Sequence, residues 1–169
     1  MNRRLVMLIG VPGSGKSHLA AQLVSAAPDR LLISTDAIRA QLFGDEAIQG
    51  EWHKVQAEVK HQLQQAIAAI DAGTATAAIY DATNAASNQR RSALQLARSV
   101  GFTDITGLWL DTPLSVCLER NRQRQRHVPE EVIVRMHRQL QQSPPTTAEG
   151  FERLLQLPEY TEFRALCYL

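Results

Sequence analysis

Gly10-Val11-Pro12-Gly13-Ser14-Gly15-Lys16-Ser17 fits the pattern G-x-x-x-x-G-K-[ST] at every fixed position. The apolar run Leu5 to Ile9 precedes it, and His18-Leu19-Ala20-Ala21-Gln22-Leu23-Val24 follows with helical spacing. A strand before and a helix after separate a phosphate loop from a glycine-rich turn that happens to carry a lysine. Glycines let the backbone turn tightly and aim successive N–H groups at an anion. The helix adds the positive end of its dipole. On this reading Gly10 to Ser17, with His18 beyond, hold a nucleoside triphosphate. Lys16 reaches the β- and γ-phosphates, and the Ser17 hydroxyl holds Mg²⁺.

The rest of the chain sets the scale. Its 169 residues fit one domain with room for a proper core, and 44% hydrophobic with 21% charged residues is ordinary for a globular protein. A net charge of +1 gives no global pull towards nucleic acid or a membrane, so any charged partner is met locally. Cys117 and Cys167 form no C-x-x-C pair and are expected as reduced, buried thiols, which fits the cytoplasm. The apolar run after Met1-Asn2-Arg3-Arg4 stops at Gly10, too early for a signal peptide, and no stretch is long enough to span a bilayer.

Further along, Leu31 to Ser34 reads as a second strand, with Ser34-Thr35-Asp36 starting a helix that runs towards Gly44. From Glu51 to Ala72, Trp52, Val55, Val59, Leu63, Ala66, Ile67 and Ile70 fall three or four apart. They predict a long amphipathic helix with a solvated face of His53, Lys54, His61 and glutamines. Thr76 to Tyr80 is the third strand, Ser87 to Val100 a helix and Ile105 to Leu110 the fourth strand. A helix follows from Pro113 to Arg126, with its cap just before the proline, and another runs from Val128-Pro129 to about Gln141. Phe151 to Leu157 supplies a fifth strand. Strands alternating with helices predict a parallel sheet covered on both faces, a three-layer α/β/α sandwich with sites at the carboxyl ends of the strands.

Three groups besides the phosphate loop stand where such a sheet exposes chemistry. Asp36 lies just past the second strand with Arg39 three residues on. The carboxylate can accept a hydroxyl proton while the arginine orients the acceptor, or the two can form an N-cap and a surface ion pair. Asp81 closes the third strand ahead of Thr83 and Asn84. It can serve the Mg²⁺ held by Ser17, although Asp-x-Thr-Asn is also turn chemistry. Arg120, Arg122, Arg124 and Arg126, followed by His127, put four of the chain's 18 Lys and Arg within seven residues. Helical spacing pairs Arg120 with Arg124 and Arg122 with Arg126, either as a solvated face or as a lid over about residues 120–130 that closes on a triphosphate.

In order, GVPGSGKS, STDAIR from Ser34, YDATN from Tyr80, CLERNRQR from Cys117, VPEEVI from Val128 and P-x-x-x-E-G-F ending at Phe151 cover nearly the whole chain. The set resembles the P-loop kinase family typified by the kinase domain of phage polynucleotide kinase. That resemblance implies phosphorylation of a hydroxyl group with ATP and Mg²⁺. It implies Asp36 as general base, Arg39 on the acceptor, Arg124 as the catalytic lid arginine and Arg120 beside it. Two departures stand out: Thr35 and Ala37 flank a lone Asp36, and the lid before Val128-Pro129 is about a residue shorter. No phosphatase or ligase domain is expected alongside. The acceptor is open between a polynucleotide 5′-OH and a small molecule such as a nucleoside, sugar or antibiotic. Aromatics at 5% give little for stacking nucleic acid. An ATP-hydrolysing switch is the reading from another class; it lacks a second glutamate after Asp81, where Asn84 stands.

Overall fold

The computed structural model describes residues 2–48 and 50–158; Cys167 lies outside them. Five strands form one parallel sheet: β1 (Arg4–Ile9), β2 (Arg30–Ser34), β3 (Ala77–Asp81), β4 (Asp104–Leu110) and β5 (Arg153–Leu157). Their order is β2-β3-β1-β4-β5. The chain passes from β1 over β3 to reach β2, and later from β3 over β1 to reach β4. Connections therefore leave the middle of the sheet towards opposite sides, and a crevice opens at the carboxyl end of β1.

Period-two alternation divides the core. Val6 and Leu8 of β1, Ile79 of β3 and Leu108 of β4 face α1 (Lys16–Ala26) through Leu19, Ala20 and Leu23. Leu5, Met7 and Ile9 face the other way, into a larger cluster. There α2 (Thr35–Phe43), α3 (Trp52–Asp71), α4 (Ser87–Val100), α5 (Leu114–Arg122) and α6 (Glu130–Gln142) contribute Ile38, Val59, Leu94, Cys117 and Ile133. The sandwich is thus the one expected, with α1 on one face and the other helices on the opposite one. No described helix is long and apolar enough to cross a membrane.

Three expectations need correction. The helix from Pro113 stops at Arg122, so Arg124 and Arg126 lie in the turn beyond it and the arginines do not pair along helical faces. The cause is Asn121, which is buried. Its Nδ2 donates to the Val128 carbonyl at 2.8 Å and its Oδ1 accepts from the Val128 N–H at 3.0 Å, clasping a seven-residue excursion shut. Pro129 also biases Val128 away from helical geometry. Thr112 caps nothing: Pro113 occupies the cap, and the Thr112 hydroxyl donates to the Ser14 carbonyl at 3.0 Å. Trp52, assigned to the buried stripe, is 53% exposed at the first position of α3.

One brace had no signal in local pattern. Arg90 on α4 is fully buried and pairs with Glu149 through Nε at 2.6 Å and Nη2 at 2.7 Å. Glu149 stands in a 3₁₀ turn, Thr147–Glu149, ahead of β5. The remaining donors of Arg90 reach the carbonyls of Asn84, Ala85 and Ser143. The guanidinium thereby fixes the loop that follows β3. Glu149→Ala leaves that cation buried without its counter-charge, and a loss of about 3–5 kcal/mol in urea unfolding is expected. A loss under 1 kcal/mol would show the pair to be solvated in solution.

Candidate active site

The phosphate loop runs from β1 into α1 and is built by close packing as much as by hydrogen bonds. Gly13 has φ +85°, and a Cβ there would stand 2.3 Å from the Cys117 carbonyl oxygen on α5. A Cβ on Gly10 would fall 2.6 Å from Ser14 Oγ. A side chain at Gly13 would run into backbone, and one at Gly10 would have to displace the Ser14 hydroxyl. The Gly10 N–H donates to the Thr83 carbonyl at 3.0 Å, and Ser14 N–H to the Val11 carbonyl at 3.1 Å. Gly15, at φ 100°, caps α1 with no side-chain acceptor, so its first-turn N–H groups remain directed at whatever anion sits there.

Lys16 is buried, and its Nζ makes one hydrogen bond among the described residues, to the Val11 carbonyl at 3.1 Å. An ammonium carries three donors, so two are left for oxygens of a ligand. Burial pushes the Lys16 pKa down, opposed by the nearby charges of Asp81 and Asp36, while Arg124 adds to the lowering. The Ser17 hydroxyl donates to Asp81 Oδ2 at 2.9 Å. Burial raises the Asp81 pKa, countered by Lys16, by that hydrogen bond and by Arg124. A cradle closed to side chains, a cation with spare donors, and a hydroxyl beside a carboxylate fit a triphosphate with Mg²⁺, a cation that takes one or two protein oxygens and keeps its waters.

The acidic and basic groups expected from sequence converge on this loop. Asp36 lies in the first turn of α2, whose cap is Ser34 rather than Asp36 itself. Its Oδ1 accepts from Arg39 Nη1 at 2.8 Å, and Oδ2 lies 3.4 Å from Arg126 Nη1. Arg126 also meets Glu46 at 3.1 Å. The four lid arginines therefore divide. Arg120 Nη1 lies 3.5 Å from the Gly13 carbonyl, Arg122 is held by Glu130 at 2.6 and 3.1 Å, and Arg126 holds Asp36. Arg124 is exposed, without a side-chain hydrogen bond among the described residues, yet close enough for its charge to reach both Lys16 and Asp81. His18 is exposed one residue beyond Ser17.

Asn84, left as a turn residue by the sequence, is a second brace. At φ 50° its buried amide donates to the Leu8 carbonyl at 2.8 Å, tying the end of β3 to β1. Beside it opens a cavity of about 540 Å³ between α3 and α4, with Thr35 and Arg39 at one side and Tyr80, Ala82, Thr83 and Asn84 along the floor. Sequence reading missed this cavity because its walls come from the polar faces of two helices, which look solvated in isolation.

The AAA domain family, AAA_33, matches residues 5–143. No curated protein matches the sequence. Among solved structures, the chain is similar to a component of the Pnkp1/Rnl/Hen1 RNA repair complex, with 20% identity and TM-score 0.68 over 84% of this chain and 45% of that one. It is also similar to a candidate kinase from Chloroflexus aurantiacus j-10-fl, with 19% identity and TM-score 0.67 over 99% and 96%. A fungal RNA kinase follows at 13% identity and TM-score 0.65, over 98% and 78%. The chain spans less than half the length of the RNA-repair component. These likenesses show a P-loop kinase fold.

Tyr80 gives the cavity floor a measurable signature. Burial pushes its phenol up to about 12 against the lowering pull of Arg39. An unfolded tyrosine loses its proton near 10, so between pH 10 and about 12 the folded chain binds more protons and stability falls as pH rises. Tyr80→Phe is expected to flatten that part of the pH–stability curve relative to wild type. Parallel curves across the window would place the phenol in solvent.

Proposed function

We propose that this chain, which belongs to the AAA domain family, transfers the γ-phosphoryl group of ATP to an alcohol hydroxyl. The carrying observation is the position of Asp36. Its charge is felt at Lys16 and Asp81, and its partner Arg39 lines the cavity that also includes Thr83, whose carbonyl accepts from the Gly10 N–H of the phosphate loop. A hydrolase needs room for water; a transferase needs a second substrate's room with a proton acceptor at its border. Asn84, standing where a switch would carry a water-positioning acid, is occupied as a backbone brace. The RNA repair complex and RNA kinase among the structural relatives support the same reading and make a 5′-hydroxyl one acceptor class to test.

The residues then divide the work. The loop N–H groups of Gly13, Gly15, Lys16 and Ser17 and the Lys16 ammonium orient the triphosphate, with Arg120 close against the loop. Ser17 and Asp81 would hold Mg²⁺, which would offset the negative charge of the triphosphate. Arg39 fixes Asp36 through Oδ1. Oδ2, touched among the described residues only by the longer Arg126 contact, takes the proton from the acceptor hydroxyl as its oxygen bonds to phosphorus and the bond to ADP breaks. Arg124, without a side-chain hydrogen bond or ion pair among the described residues, supplies positive charge to the phosphoryl oxygens, where charge develops.

Asp36→Asn keeps the size of the side chain and removes the proton acceptor. Turnover is expected to fall by about a hundredfold or more with ATP affinity unchanged in calorimetry. Weakened ATP binding instead would make Asp36 a structural ion-pair partner only. Arg124→Ala is expected to cut kcat by about a hundredfold or more, as loss of other charge-stabilising donors does. A larger loss in Arg120→Ala would move the catalytic role to the helix-borne arginine.

A further inference from the structure

The lining of the cavity beside Arg39 describes its occupant. Resting on the transferase reading of this site, we infer that the acceptor is a free, uncharged nucleoside, with its planar base against Trp52 and its sugar hydroxyls among the amides of α3 and α4. About 540 Å³ suits one small molecule. Among the described lining residues Arg39 is the one charged side chain, and its Nη1 is engaged by Asp36 at 2.8 Å. A polynucleotide end brings a phosphate with each further nucleotide, and surfaces that hold such chains answer with several Lys and Arg. This lining offers none beyond Arg39.

It offers neutral donors instead. Gln56 has no side-chain hydrogen bond to other described residues. Among the described residues Asn88 and Gln89 use only their amide oxygens, accepting from the backbone of Gln89 at 2.9 Å and Ala86 at 3.3 Å, which leaves both NH₂ groups for a ligand. The Arg39 Nε is buried with no acceptor among the described residues, one donor that a hydroxyl oxygen would satisfy. Amides and an N–H of this kind match sugar hydroxyls and the ring nitrogens and carbonyls of a base. Trp52 then selects within the polyols. Trp52, a lining residue, stands 53% exposed, and Leu42 near the end of α2 and Ile48 in the connection to α3 are exposed as well. A flat base covers that indole; a bare sugar leaves it in water.

The test compares kcat/KM, at fixed Mg²⁺ and ATP, for the four common ribonucleosides, for ribose, and for 5′-OH octanucleotides ending in the same nucleosides. At least one nucleoside is expected to exceed both ribose and its octanucleotide by about tenfold, the scale of one base–aromatic stack. Trp52→Ala is expected to raise KM for that nucleoside by about tenfold, with kcat and the KM for ATP held within about twofold, and Trp52→Phe to restore most of the loss. An octanucleotide equal to or better than the nucleoside overturns the inference and leaves the transferase reading standing. Ribose matching the nucleoside, or an unchanged KM in Trp52→Ala, overturns it as well. If no acceptor takes phosphate while ATP is still bound, the transferase reading itself falls and takes the inference with it.

Discussion

A buried ammonium governs this site. Lys16 sits at the carboxyl end of the central strand with one carbonyl as its hydrogen-bond partner and the Asp81 carboxylate as its nearest compensating charge. Taking a cation out of water costs several kcal/mol unless counter-charge and hydrogen bonds are supplied. The loop around it supplies geometry in place of full compensation. Gly13 is pressed against the Cys117 carbonyl, Thr112 holds the Ser14 carbonyl, and Asn84 ties β3 to β1. The loop is thus rigid and short of negative charge, a combination that favours a polyphosphate over water or a lone carboxylate.

Rigidity on one side is matched by adjustable contacts on the other. Arg90 and Glu149 lock the floor of the neighbouring cavity with both partners almost wholly buried. The arginine turn, by contrast, is tied down at its two ends by Asn121 and by the exposed Arg122–Glu130 pair. Within it Arg126 bridges Asp36 and Glu46 through partly exposed contacts, each worth at most about 1 kcal/mol. Such contacts exchange readily when a more strongly charged group arrives. The fold therefore keeps the phosphate loop and the cavity floor fixed while leaving the arginines free to rearrange over them.

Most of the architecture was legible because it is written in local pattern. The glycine spacing of residues 10–17, the β–α alternation and the glycines that stop α3 and α4 each act within a few residues, and the elements they predict, α5 apart, stand within a residue or two of those observed. The position of Asp36 beside Arg39 follows from helical periodicity and was equally readable. What escaped depends on partners far apart in the chain. Nothing around Arg90 announces Glu149, and nothing around Asn121 announces that its amide will close on Val128 and end the helix at Arg122. The cavity escaped for the same reason: Gln56 and Asn88 look solvated on their own helices and become a lining only when α3 and α4 are set side by side.

Phosphorus NMR of the protein with Mg²⁺, ATP and a hydroxyl-bearing acceptor tests the central claim most directly, because it shows where the terminal phosphorus goes. A phosphate monoester resonance growing in step with ADP is expected. ADP accompanied by inorganic phosphate alone, at a rate indifferent to every acceptor offered, would contradict it.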